Sequence, residues 1–128
     1  MRWDIKKIVN WSQRKLKNLT AWEQRRKSDL EALEYLEASS MPDQLEELAD
    51  FYITQVILAY RFGNPAAKVV CLLFQWAFMK DKDSDFEKAV DIKMDINEQR
   101  TFVKINGEHR HIRSENDYFL TTNEKEKK

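Results

Sequence analysis

Two acidic pairs at helical spacing are the residues best suited to chemistry in this chain. Glu31-x-x-Glu34, followed by Glu37, and Glu47-x-x-Asp50 each set two carboxylates three residues apart. Residues three apart share a helical face, so each pair projects in one direction. Two antiparallel helices joined by a short break would bring the pairs together. Carboxylate oxygens in that number suit one or two Mg²⁺, a hard cation that keeps some of its waters. The competing reading is two solvated faces, because acidic helical runs ordinarily meet water. Glu47 and Asp50 stand apart from that pattern. They lie at the edge of an apolar stripe, beside Leu48, Ala49 and Phe51.

A second constellation is basic. Lys93-x-x-x-Asn97-x-x-Arg100 places two cations and an amide on one helical face, a set that can neutralise and orient phosphate. Ordinary helix decoration is the alternative, with Arg100 complementing the negative end of its helix. Other candidates are weaker. Asp81-x-Asp83-x-Asp85 opens like a calcium loop, but Phe86 stands where the sharp turn needs Gly and Ile92 where the last ligand should be Glu. His109 and His111 fall on one face of a short strand, a pattern suited to a structural or phosphate-contacting role. Cys71, between Val70 and Leu72, reads as an inert buried thiol. The sequence has no Gly-rich phosphate loop and no G-x-S-x-G.

The elements that must position these groups are helices. The chain has 128 residues, 42% hydrophobic and 34% charged, with only two Gly and two Pro. That composition fits one domain and argues against a turn-rich sandwich or barrel. The first helix is expected from Asp4 to Asn18, with Ile5, Ile8, Val9, Leu16 and Leu19 in its stripe and Trp11 off it. Thr20-Ala-Trp-Glu23 reads as a capping box that opens a second helix to about Ala38, with Trp22, Leu30, Leu33 and Leu36 inward. A single long bent helix is the alternative. Pro42 and Asp43 suit the first turn of a third helix, which Gly63 ends. Asn64-Pro65 opens a fourth, running to about Lys80 and apolar nearly all round, as expected of a helix central in a core or buried between subunits. Ser84-Asp-Phe-Glu87 caps a fifth, ending near Arg100. Two short alternating segments around Asn106-Gly107 read as a hairpin with a type I′ turn. The expectation is an all-α, four- to five-helix bundle with a short C-terminal β-hairpin over residues 1–112, and a polar, partly disordered tail over 113–128.

The charges balance overall, but they are segregated. Residues 1–27 carry nine Lys and Arg against Asp4 and Glu23, whereas residues 28–50 carry eight acids and no base. Because the whole is neutral, the basic block is expected to pair with the acidic block of its own chain or a second copy, and nucleic acid is an unlikely partner. One Cys excludes an internal disulfide framework. The start, MRWDIKK, lacks the apolar core of a signal peptide, and the longest apolar run, Val69 to Met79, is short of the ~20 residues a membrane span needs. A soluble cytoplasmic protein without a membrane partner is expected, and the apolar fourth helix suggests a homodimer or homotetramer.

These motifs together resemble the MazG-like all-α nucleotide pyrophosphohydrolases, which include dimeric dUTPases and phosphoribosyl-ATP pyrophosphohydrolases. The resemblance spans roughly residues 28–112. It is carried by Leu45-Glu-Glu-Leu-Ala-Asp50 and by Ala89-Val-Asp-Ile-Lys-Met-Asp-Ile-Asn-Glu-Gln-Arg100, followed by Phe102, Gly107, His109 and His111. It implies Mg²⁺ held by E-x-x-E on one helix and E-x-x-D on the next. Glu31, Glu34, Glu47 and Asp50 would take those positions, with Glu34 and Glu37 as an alternative register for the first pair. It further implies hydrolysis of a nucleoside triphosphate to monophosphate and pyrophosphate. Glu34 would orient or deprotonate the attacking water, and Lys93, Asn97 and Arg100 would contact the phosphates. Trp22 or Tyr52 would stack on the base. The chain departs from the family pattern in having Leu30 where a doubled Glu usually opens the first acidic motif, and about one more helix between Asp50 and Lys93. The other functional class compatible with the sequence is a non-catalytic helical module that binds a protein partner or nucleic acid through its charge-segregated N-terminal half.

Overall fold

The structure is a computed structural model that describes residues 5–78 and 85–112. Helices α1 (Ile5–Lys15), α2 (Ala21–Glu37), α3 (Met41–Tyr60), α4 (Pro65–Phe78) and α5 (Asp85–Gln99) are followed by strands β1 (Thr101–Ile105) and β2 (Glu108–Ile112). This is the helical bundle with a C-terminal hairpin that the periodicity implies. The expected tail over 113–128, the Ser84 cap, Asp81 and Asp83, and the end of the fourth helix at Lys80 lie outside the described residues.

Local signals set the boundaries. Asn18, in left-handed backbone at φ 64°, separates α1 from α2, so the bent single helix is not formed. Thr20 Oγ1 accepts from the Glu23 backbone N–H at 3.1 Å and caps α2. Ser40 caps α3 in the same way through Asp43, with Pro42 in the first turn. Gly63, at φ 71°, turns the chain out of α3, and the Asn64 N–H reaches back to the Leu58 carbonyl at 3.0 Å. Asn64 Oδ1 then accepts from the Ala67 N–H at 3.0 Å to open α4. The hairpin pairs antiparallel from Thr101↔Ile112 to Ile105↔Glu108, and Asn106 and Gly107 both have positive φ, as a type I′ turn requires.

The axis of the bundle is α3, which packs against α1, α2, α4 and α5. Its Ala49, Tyr52, Ile53, Val56, Ile57, Leu58 and Ala59 are all buried. Aromatic rings knit it to α4 and α5. Tyr52 meets Phe86 edge-on at 5.7 Å, and Phe78 stacks on Phe86 at 4.6 Å. The central helix is therefore not α4. That helix buries Ala67 and Cys71 and packs Phe74 and Phe78 inward, while Val69, Leu72, Leu73 and Trp76 on its far side are all more than half exposed. No helix among the described residues is long and apolar enough to cross a membrane.

Three further expectations are corrected. On α2 the inward side is polar: Glu23, Gln24 and Ser28 are buried, while Trp22, Leu30, Leu33 and Leu36 are exposed. Each of these residues finds a hydrogen-bond partner, with one Glu23 oxygen, Oε1, left to an ion pair with Lys104. Gln24 Nε2 donates to the Thr54 carbonyl at 3.1 Å, Ser28 Oγ accepts from Thr54 Oγ1 and Gln55 Nε2, and Glu23 meets His109. Satisfied hydrogen bonds let this face compete with the leucine stripe for the interior. Trp11, read as off its stripe, is buried at 4% exposure, because its indole N–H finds a carbonyl to donate to. Within the chain, the basic block pairs mostly outside residues 28–50. Lys7 meets Asp95, Arg14 meets Glu98 and Arg26 meets Glu108, leaving Lys27–Glu31, within α2, as the pair to the acidic block among the described residues.

Candidate metal and anion site

The two constellations meet across one cavity of about 660 Å³, walled by α1, α2, α3, α5 and the hairpin. Glu31 and Glu34 of α2 and Asp50 of α3 form one side. Lys93 and Asn97 of α5, with Arg100 just past its end, form another. Val103, Arg110 and His111 of the hairpin close it. The volume suits a nucleotide-sized ligand.

At the acidic end, Glu31, Glu34 and Glu47 each bring one carboxylate oxygen to within 4.8 Å of the others. Glu31 and Glu34 are both in this cluster, and Glu37 is not. Glu31 Oε2 and Glu47 Oε2 are buried and meet no hydrogen-bond donor. Burial, reinforced by the charges of Asp50 and Glu34, pushes the Glu31 carboxyl up to about 8. Burial and the neighbouring Glu34 push Glu47 up to about 6. Like charges gathered out of water hold their protons unless a cation replaces them. Orphaned, hard oxygen donors in this number fit a divalent ion such as Mg²⁺.

Asp50, expected as the fourth ligand, is not in that cluster. Its Oδ2 lies 3.2 Å from Lys93 Nζ, which also binds Glu46 Oε1 at 2.8 Å. Burial draws the Lys93 ammonium down, but the bonds to Glu46 and Asp50 outweigh it and raise its pKa overall. Burial raises the Asp50 carboxyl, against the lowering effect of Lys93. Just past the end of α5, Arg100 Nη1 donates to Asn97 Oδ1 at 3.4 Å. Seven residues separate Lys93 from Arg100, and the face predicted from their spacing forms.

Neither aromatic expected to stack on a base reaches the cavity. Tyr52 is fully buried among Phe74 and Phe86, where its ring serves packing, and Trp22 is exposed and outside the cavity lining. Cys71 is fully buried, and burial pushes its thiol up to about 12, as an inert thiol requires.

The hairpin is held by Glu23. Its Oε2 accepts from the His109 backbone N–H at 2.7 Å and meets His109 Nδ1 at 2.7 Å, while Lys104 Nζ lies 3.6 Å from Oε1. His109 Nε2 in turn donates to the Lys17 carbonyl at 2.7 Å. Glu23, half of the expected capping box, is thus diverted from its own helix to the hairpin. Two groups escape a motif reading of the sequence, Arg110 in the cavity lining and Glu46, the Lys93 partner outside it. Strand alternation across Val103↔Arg110 is the one signal for the first.

No family model, curated protein or solved structure matches this chain.

Proposed function

We propose that this protein is a Mg²⁺-dependent nucleoside triphosphate pyrophosphohydrolase of the MazG-like type, releasing monophosphate and pyrophosphate. One observation carries the reading: Glu31, Glu34 and Glu47 from two helices converge, Glu31 and Glu47 each with a buried oxygen that meets no hydrogen-bond donor, and Glu31 and Glu34 line the same cavity as Lys93, Asn97 and Arg100. Glu31, Glu34 and Glu47 would hold the ion, with Asp50 beside them. When bound, Mg²⁺ supplies positive charge at the scissile phosphate and lowers the pKa of a coordinated water. The remaining work falls to side chains. Glu34, the exposed member of the cluster, orients the water and accepts its proton. Lys93 and Arg100 balance charge that develops on the polyphosphate, and the Asn97 amide orients it. The hairpin covers the cavity from the far side.

The exposed apolar sides of α2 and α4 support a homodimer or homotetramer, for which we propose a soluble, cytoplasmic setting. The test of function is pyrophosphate release from a panel of canonical and modified nucleoside triphosphates with Mg²⁺, beside Asp50→Asn and Glu47→Gln. Release that both variants lose by about a hundredfold or more supports the enzyme and identifies its substrate. A folded protein that releases none from any nucleotide sinks this reading and favours the helical interaction module.

A further inference from the structure

We propose that the hairpin is a movable wall of the cavity and that its latch is a proton: His109 docks against α2 as the imidazolium, and loss of that proton releases β1 and β2 and opens the cavity. The proposal does not depend on what the cavity binds.

The latch follows from hydrogen-bond accounting. Three contacts converge on His109. Its backbone N–H donates to Glu23 Oε2 at 2.7 Å, its Nδ1 lies 2.7 Å from the same oxygen, and its Nε2 lies 2.7 Å from the Lys17 carbonyl. A carboxylate and a carbonyl only accept. A neutral imidazole has one N–H, so one of its two nitrogens would turn a lone pair onto an acceptor. Both contacts are made when both nitrogens carry hydrogen. Water is a poor substitute, because the two side chains are only 7% and 8% exposed.

The surrounding charges leave Glu23 Oε2 to the histidine. On β1, Lys104 Nζ lies 3.6 Å from the other oxygen, Oε1, and donates to the Asn18 carbonyl. At the end of α3, Arg61 interacts with the charge of Glu23 while its guanidinium binds the Ser12 and Leu16 carbonyls. On α2, Arg26 is taken up by Glu108 of β2 at 3.2 Å.

The latch sits where it can move a wall. The base of the hairpin is tied to α1, through Lys15 on the Arg100 carbonyl and Trp11 on Phe102. His109 lies at the other end, two residues past the Asn106-Gly107 turn. The remaining ties of that end, from Lys104 to Asn18 and from Arg26 to Glu108, are open to water and correspondingly weak. With its tip released, the hairpin swings about Arg100 and carries Val103, Arg110 and His111 away from the cavity. The sign is fixed by linkage. A histidine in water keeps its second proton only below about pH 6.5. Docking above that pH takes up a proton, so the latch is complete below it and is lost as pH rises.

The test is amide hydrogen exchange of the full chain without ligand, expressed as protection relative to unstructured peptide. Protection of β1 and β2 should fall about tenfold between pH 6 and pH 8, beyond any change in α3. In His109→Gln, which offers one donor and one acceptor and does not titrate, hairpin protection should be lower at pH 6 and lack this additional fall. Other groups that titrate over this range are common to both chains, so the difference isolates the ring. Nitrogen-15 spectra of the imidazole supply a measurement on the parent chain itself. At about pH 7.5 both nitrogens of His109 should carry hydrogen while the hairpin is protected. Hairpin protection that changes with pH equally in the parent and His109→Gln overturns the latch. So does a His109 ring with a single N–H at that pH beside a protected hairpin.

Discussion

Trp11 of α1 donates its indole N–H to the backbone carbonyl of Asn97, 3.1 Å away across 86 residues of sequence. That carbonyl also accepts from the Arg100 N–H at 3.2 Å, so it closes the last turn of α5. The Trp11 ring meets Phe102 edge-on at 5.5 Å. One side chain thus fixes where α5 ends and where the hairpin begins. Trp11→Phe keeps most of the apolar volume and removes the donor. It should cost about 1–2 kcal/mol in urea unfolding. It should also weaken tripolyphosphate binding, because Asn97 and Arg100 lose their anchor. A variant with wild-type stability and anion affinity would remove Trp11 from this role.

The acidic cluster makes stability fall as pH rises. The folded-state pKa of Glu31, about 8, and that of Glu47, about 6, both lie above the ordinary 4.5 of a glutamate in water. The folded protein therefore binds more protons than the unfolded chain between those values. The stabilisation is fully present below about pH 4.5 and is lost as pH climbs toward 8. Without a divalent ion, the melting temperature should drop across that window. Glu31→Gln should flatten the drop and gain about 1–2 kcal/mol at pH 8, allowing for solvent screening. Mg²⁺ should stabilise the parent chain more at pH 8 than at pH 6, since binding displaces protons. Thermal unfolding against pH, with and without Mg²⁺, decides; an ion-free melting temperature that rises with pH through this window contradicts the cluster's electrostatics.

Glu23 is the main fastening of the hairpin. Glu23→Ala strands the His109 N–H and Nδ1 beside a cavity and should cost about 2–4 kcal/mol. The loss should be local as well as global. Amide hydrogen exchange should accelerate first in β1 and β2, while α3 keeps its protection. Uniform acceleration over the whole molecule would show that the hairpin has no separate fastening.

Leu30, Leu33 and Leu36 on α2, and Val69, Leu72 and Leu73 on α4, are more exposed than a small monomer ordinarily tolerates in rows. In sedimentation the chain should run above monomer mass. Leu33→Glu and Leu73→Glu should each reduce that mass, because a buried carboxylate at an apolar contact costs several kcal/mol. A monomeric parent chain would end this expectation.

Helix boundaries, the hairpin turn and both charged faces are legible in the sequence because they depend on neighbours within a turn or two. Thr20, Ser40, Asn64 and Asn106-Gly107 act on backbone groups beside them. What is not legible depends on distant partners. The inward side of α2 is chosen by Thr54, Gln55 and His109, which lie between 26 and 86 residues away from the groups they satisfy. Counting leucines therefore points to the wrong side of that helix. The burial of Trp11 follows from a carbonyl on α5, and the fate of Asp50 follows from Lys93. The apolar content of α4 is real, but α3 already fills the centre.

The hairpin's attachments have a kinetic consequence. Glu23 to His109, Lys104 to Asn18 and Lys15 to Arg100 join segments about 85 residues apart. The helices can form from local contacts, whereas these contacts close a long loop and carry its entropy. Docking of the hairpin is thus the late event in folding, and it completes the cavity wall as it occurs. Denaturant-dependent folding rates should place β1 and β2 among the residues with low φ-values, and the cavity should acquire its anion affinity only in the final kinetic phase.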